Sequence, residues 1–137
     1  MFGIVIVAHG GLAQEYLLAA EHVVGVKPKV QAISIYPKDD ANEKEDQIKT
    51  ALSNVNTGSG VIIVTDIHGS TPANLALKAS QGSNCKVIFG ANLPLIVKLI
   101  KGRNLSADDA VNLAVNAGKK YISWVSTILS KSNPNCD

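Results

Sequence analysis

The sequence predicts an α/β fold, a doubly wound and mostly parallel sheet with helices on both faces. Two observations predict it. Short apolar, β-branched runs alternate with segments of helical period along nearly the whole chain. One of those runs, Gly60-Val61-Ile62-Ile63-Val64-Thr65, is apolar enough to be covered on both sides, as parallel strands are.

The elements follow in order. Gly3 to Ala8 is the first strand. Leu12 to Val24 repeats apolar residues at helical spacing, and Gly25 is a stop signal. Val30 to Tyr36 is the second strand. Asp40 caps the next helix, with Glu43 as the return half of a capping box, and that helix runs to about Val55. Gly60 to Thr65 is the third strand. Ser70, Thr71 and Pro72 begin a helix ending near Ala79, because proline is at ease in the first helical position. Lys86 to Phe89 is the fourth strand, followed by a short helix over Leu93 to Lys101. Ser106 caps a further helix with Asp108 and Asp109 in its first turn. Gly118 interrupts that pattern. Lys120 to Leu129, KYISWVSTIL, could continue the helix, but its β-branched and aromatic content favours a last strand. A single domain over residues 1–130 and a loose tail over 131–137 are expected.

Composition narrows the function classes. The chain has 137 residues, 46% of them hydrophobic and 18% charged, which suits a folded soluble protein. Its net charge of +2, without a basic stripe or stacking aromatics, gives nucleic-acid binding no support. The apolar N-terminal run is too short to span a bilayer and lacks a basic leader, so a cytoplasmic protein with no direct membrane insertion is expected. Cys85 and Cys136 have no metal or redox spacing and read as free thiols. Neither a phosphate-loop pattern nor a dinucleotide fingerprint occurs, so no nucleotide cofactor is expected.

In sheets of this kind ligands bind beyond the carboxyl ends of the strands, where strand order reverses. If strands one and three flank that reversal, His9 and Asp66 share one edge. An aspartate bonded to one imidazole nitrogen fixes the tautomer and leaves the other with a lone pair. The helix start at Ser70-Thr71-Pro72 offers amides and hydroxyls to an anion, while Gly69 and Gly10-Gly11 permit close backbone approach. A histidine that carries a phosphoryl group fits this set. Each piece alone has a plainer reading as a strand end, loop cap or helix cap. His22, near the end of the first helix, reads as a boundary residue, and His68 stands beside the site.

These segments together resemble the IIA component of the mannose family of the bacterial sugar phosphotransferase system. The resemblance is carried by Ile4 to Gly10, Gly60 to Asp66, Gly69-Ser70-Thr71-Pro72-Ala73-Asn74 and Gly90-Ala91-Asn92-Leu93-Pro94. It implies strand order 2-1-3-4, plus an antiparallel C-terminal edge strand that can be exchanged across a homodimer. It implies that His9 is phosphorylated, that Asp66 orients it, and that Gly10, Gly69, Ser70 and Thr71 surround the phosphoryl group. The implied donor is the phosphohistidine of HPr, the usual acceptor is a IIB protein serving sugar uptake, and neither metal nor cofactor is required.

Two residues depart from the pattern. Ser70 replaces a second glycine, which puts the loop's shape in question, and His68 replaces a bulky apolar or aromatic residue. The chain stops before a IIB domain, so the expected acceptor is a separate protein, with transport and regulation both open. Other readings are a small tetrapyrrole metal chelatase, with His68 or His22 as second ligand, and a non-catalytic binding module. A Ser-His-Asp hydrolase lacks its nucleophile elbow.

Overall fold

The computed structural model describes residues 1–126. Four parallel strands, β1 (Gly3–His9), β2 (Val30–Ile35), β3 (Val61–Thr65) and β4 (Cys85–Ile88), form one sheet in the order β2-β1-β3-β4. Helices α1 (Leu12–Val24), α2 (Ala41–Val55), α3 (Thr71–Ser80), α4 (Leu93–Lys101) and α5 (Ala107–Lys120) complete the described fold. The α/β class and the implied 2-1-3-4 order both hold.

The two faces of β1 explain the layers. Successive strand side chains point to opposite faces. Ile4, Ile6 and Ala8 therefore pack with Ile62, Val64 and the apolar stripes of α1, α4 and α5. Val5 and Val7 face the other way, onto Ile33, Ile35, Ile63 and the inner residues of α2 and α3. The residues of β1 before His9, and all of β3, are buried, as expected for strands covered on both sides.

One charge is sunk into this frame. Arg103, between α4 and α5, is buried and donates from Nε to the Phe2 carbonyl at 2.8 Å and from Nη1 to the Pro28 carbonyl at 3.0 Å. Its Nη2 reaches the Lys29 carbonyl at 3.4 Å. Burial lowers its pKa from the usual value, but a guanidinium stays protonated. These bonds staple the α4–α5 turn to the start of β1 and the α1–β2 connection, away from the carboxyl edge.

The C-terminal expectations need correction. Gly118 does not interrupt the helix, since α5 runs through it to Lys120. A Cβ there would lie 3.1 Å from Leu95 Cβ and 3.2 Å from Asn92 Oδ1, tighter than ordinary contact, so a side chain at 118 would press on α4 where α5 crosses it. The signal read as a helix breaker is a packing contact. The strand expected over Lys120 to Leu129 is not formed in its described part. Lys120 ends α5, Tyr121 lies in a turn and 122–126 pair with no strand. The remainder, 127–129, lies outside the described residues, as do Cys136 and the expected tail. The antiparallel edge strand is therefore no part of the described sheet.

Asn92 strengthens the same crossing. Its Oδ1 accepts the Leu95 N–H at 3.0 Å, and its Nδ2 donates to the Gly118 carbonyl at 3.0 Å. Gly118→Val is expected to destabilise the protein by about 1–3 kcal/mol through overpacking. Chemical denaturation measures this, and an unchanged midpoint would show that the α4–α5 spacing has slack.

Candidate functional site

Strand order reverses between β1 and β3, so their carboxyl ends open the crevice in which such folds bind ligands. His9 is the last residue of β1 and pairs in register with Ile35 of β2. Asp66 follows β3 directly. The His9 ring is half exposed, whereas the Asp66 carboxylate is 7% exposed.

The two residues meet twice. The His9 backbone N–H donates to Asp66 Oδ2 at 2.9 Å, and His9 Nδ1 lies 2.7 Å from the same oxygen. The Ile67 N–H donates to Asp66 Oδ1 at 2.9 Å. Burial pushes the Asp66 pKa up, but the His9 backbone and ring bonds, the Ile67 N–H and the His9 charge outweigh it, and the net shift is downward. Asp66 is therefore a carboxylate and accepts only. Nδ1 must carry the proton, and Nε2 of the neutral ring keeps the lone pair.

The loop between β3 and α3 differs in detail from expectation. Gly69 has φ +81°, the left-handed region that glycine tolerates. Ser70 has φ −81°, so it meets no strain where a second glycine was the implied pattern. The Ser70 hydroxyl turns back and donates to the Ile67 carbonyl at 2.6 Å, and Ser70 makes no side-chain cap. The first helical N–H bond is that of Asn74 to the Ser70 carbonyl. Pro72 has no N–H, so the amides of Thr71 and Ala73 have no intrahelical acceptor. Exposed Thr71 thus offers an open amide at this helix start, whereas Ala73 is buried and Ser70 contributes none through its hydroxyl.

A groove of about 250 Å³ adjoins His9. Thr71 and Leu75 of α3 line one side, and Tyr36, Pro37 and Asp39 of the β2–α2 connection with Lys44 of α2 line the other. This second wall was missed. The signal for it lies in the implied strand order, because a strand next to β1 brings its following loop beside His9. Gly10 marks the junction, donating its N–H to the Ile35 carbonyl at 2.8 Å.

Tyr16 was also missed. Its hydroxyl donates to the Ala91 carbonyl at 3.1 Å, while the Ala91 and Gly90 N–H groups donate to the Thr65 and Asp66 carbonyls. Burial, then the Asp66 charge, push the phenol pKa up and keep it a donor. Tyr16 therefore braces the turn that supports Asp66. His68 is exposed and stacks on Phe89, with ring centroids 4.4 Å apart. His22 sits in the last turn of α1, whose first turn starts at the site edge, so it does not join His9. Among the described residues no cluster of three or more His, Cys, Asp or Glu side chains is arranged to hold a metal ion. The paired histidine ligands of the chelatase reading are not assembled.

A family described as the PTS system fructose IIA component (EIIA-man) matches residues 3–115. The chain is 31% identical over 122 residues to the PTS system mannose-specific EIIAB component of Escherichia coli strain K12, covering 87% of this chain and 38% of that protein. It thus spans well under half the length of that relative. It is 28% identical over 114 residues to the PTS system sorbose-specific EIIA component of Lacticaseibacillus casei, covering 80% of each. The crystal structure of phosphotransferase system component EIIA from Streptococcus agalactiae shares the fold, with a TM-score of 0.81 at 23% identity over 90% of this chain and 97% of that one. A family match across the strands, helices and loops that build the His9–Asp66 edge makes this chain a member of the mannose-type IIA family of the phosphotransferase system.

Proposed function

We propose that His9 is the phosphoryl carrier of this IIA protein, accepting from phospho-HPr and passing the group to a IIB protein in the service of sugar uptake. The carrying observation is the 2.7 Å contact between His9 Nδ1 and Asp66 Oδ2, which leaves Nε2 as the nucleophile. In the forward step Nε2 forms a bond to phosphorus as the donor's P–N bond breaks. The electron pair of that bond returns to the donor imidazole. His9 keeps its Nδ1 proton and becomes positively charged, a charge that Asp66 offsets. Transfer to the acceptor reverses these changes.

Such a transfer demands positioning and charge stabilisation rather than covalent help. Asp66 supplies the orientation. The open amide of Thr71 at the α3 N-terminus suits an equatorial phosphoryl oxygen. Thr71, which lines the His9 groove, is favoured over Ser70, whose hydroxyl is engaged. Gly10 and Gly69 let the backbone come near without side chains in the way.

No helix among the described residues is long and apolar enough to cross a membrane. The donor of this relay works in the cytoplasm, and the proposal places the chain there. It includes a homodimer, for which β4 at the sheet edge offers a rim that is unpaired among the described residues.

The test incubates the protein with phosphoenolpyruvate, enzyme I and HPr and weighs it intact at mildly alkaline pH. Wild type should gain one acid-labile phosphoryl group, and His9→Ala none. Full labelling of His9→Ala would sink the assignment. Asp66→Asn should stay folded but transfer at least roughly a hundredfold more slowly, because Nδ1 loses its anionic partner.

Ser70→Ala is expected to change the transfer rate by about twofold or less, and Thr71→Ala to lower it by about a hundredfold, the low end for removing one transition-state donor. Equal effects in rapid-quench kinetics would contradict this division of roles.

Stability should follow the depressed Asp66 pKa. The unfolded carboxyl titrates near about 3.9. Its folded counterpart lies lower, so its contribution is fully present above that value and is lost as pH falls through the folded pKa. The stability gap between wild type and Asp66→Asn should therefore narrow in denaturation curves taken from about pH 5 down to about pH 2. A constant gap would show that the hydrogen bonds do not depend on the charge.

A further inference from the structure

Lys44 is the cation in the groove beside His9. It lies four residues after Asp40, the N-cap of α2. A positive side chain near a helix N-terminus opposes the macrodipole, so helix stability does not explain it. Its contact with Asp39 is loose. Nζ is 3.0 Å from Gln47 Oε1 and 3.7 Å from Asp39 Oδ2, the latter beyond the range of a charge-assisted hydrogen bond. The side chain is 20% exposed, giving it partial shielding from solvent.

Asp39, by contrast, is fixed. The same Oδ2 accepts the Tyr36 N–H at 2.7 Å. The groove therefore holds one anchored carboxylate, one lysine on a flexible stem, and the open α3 N-terminus on the opposite wall.

We propose that Lys44 is the counter-charge for the phosphoryl group on His9, exchanging its loose contact with Asp39 for the phosphoryl oxygens. This rests on the reading of His9 as carrier. A phosphoryl group brings up to two negative charges where Asp39 offers one, and on the far wall only dipolar donors face it. Asp39 is then a competitor, holding Lys44 in the unphosphorylated state and repelling the phosphoryl group once Lys44 has moved. The two residues set how far the exchange with phospho-HPr runs toward this protein, because a group that binds the phosphorylated form better shifts the equilibrium by that difference.

The experiment measures the exchange equilibrium between isolated phospho-HPr and the full chain, by intact mass, for wild type, Lys44→Gln, Lys44→Arg, Asp39→Asn and the variant combining Lys44→Gln with Asp39→Asn. Asparagine keeps an oxygen for the Tyr36 N–H, so the loop is preserved. Lys44→Gln should lower the equilibrium constant roughly fivefold, the scale of a partly exposed ion pair. Lys44→Arg should stay within about twofold of wild type, and Asp39→Asn should raise the constant. A Lys44→Gln constant equal to that of wild type would overturn the proposal. So would a Lys44→Gln effect that vanishes in the Asp39→Asn background, since that is the result expected if Lys44 only neutralises Asp39. Wild type that takes up no phosphoryl group would instead remove the carrier reading, and this proposal with it.

Discussion

Everything at the carboxyl edge depends on the Asp66 carboxylate. One of its oxygens takes two donors from His9 and the other takes the Ile67 amide. The bond to the His9 backbone locks the end of β1 to the end of β3. The bond to the ring then fixes the imidazole relative to that lock. A carboxylate held to backbone on both oxygens has little freedom to follow a moving imidazole, so the imidazole must conform to it. The cost of burying the charge is offset by those donors, and the net result is an anion held ionised where water barely reaches it.

The surroundings extend the same logic. α2 and α3 each follow a strand of the parallel sheet, so both begin at this edge. Their N-terminal dipoles favour negative charge in the groove between them. The α2 terminus is already capped, because the Glu43 amide donates to Asp40 Oδ1. The α3 terminus is not capped by its Ser70 side chain, which is turned into its own loop. The pocket is thus asymmetric, with open donors on one wall and a tethered lysine on the other.

Much of this was legible in the sequence. His9 and Asp66 stand where apolar strands end, and strand ends in a parallel sheet share an edge, so their meeting follows from topology. The Thr71-Pro72 helix start is equally readable, because proline restricts where a helix can begin. The direction of the Ser70 hydroxyl was not readable, since it depends on a local choice between accepting a helix N–H as a cap and donating to the Ile67 carbonyl. Tyr36 and Lys44 were missed because the reading followed the neighbour of β1 on the β3 side and left the β2 side unused. Gly118 was misread for a general reason. Glycine signals a break when only its own helix is considered, but here the deciding contact is with Leu95 and Asn92 on another helix.

The Arg103 staple has a consequence for the order in which the molecule assembles. Its bond to the Phe2 carbonyl spans 101 residues and closes on the opening residues of the central strand. β1 precedes its partners β2 and β3 and this staple in the chain. During synthesis β1 therefore emerges before both strands that flank it, and its apolar residues lack full cover until β3 and the later helices follow, a period of exposure in which association with other chains competes with folding. The staple makes completion of the sheet's anchored end wait for the α4–α5 turn.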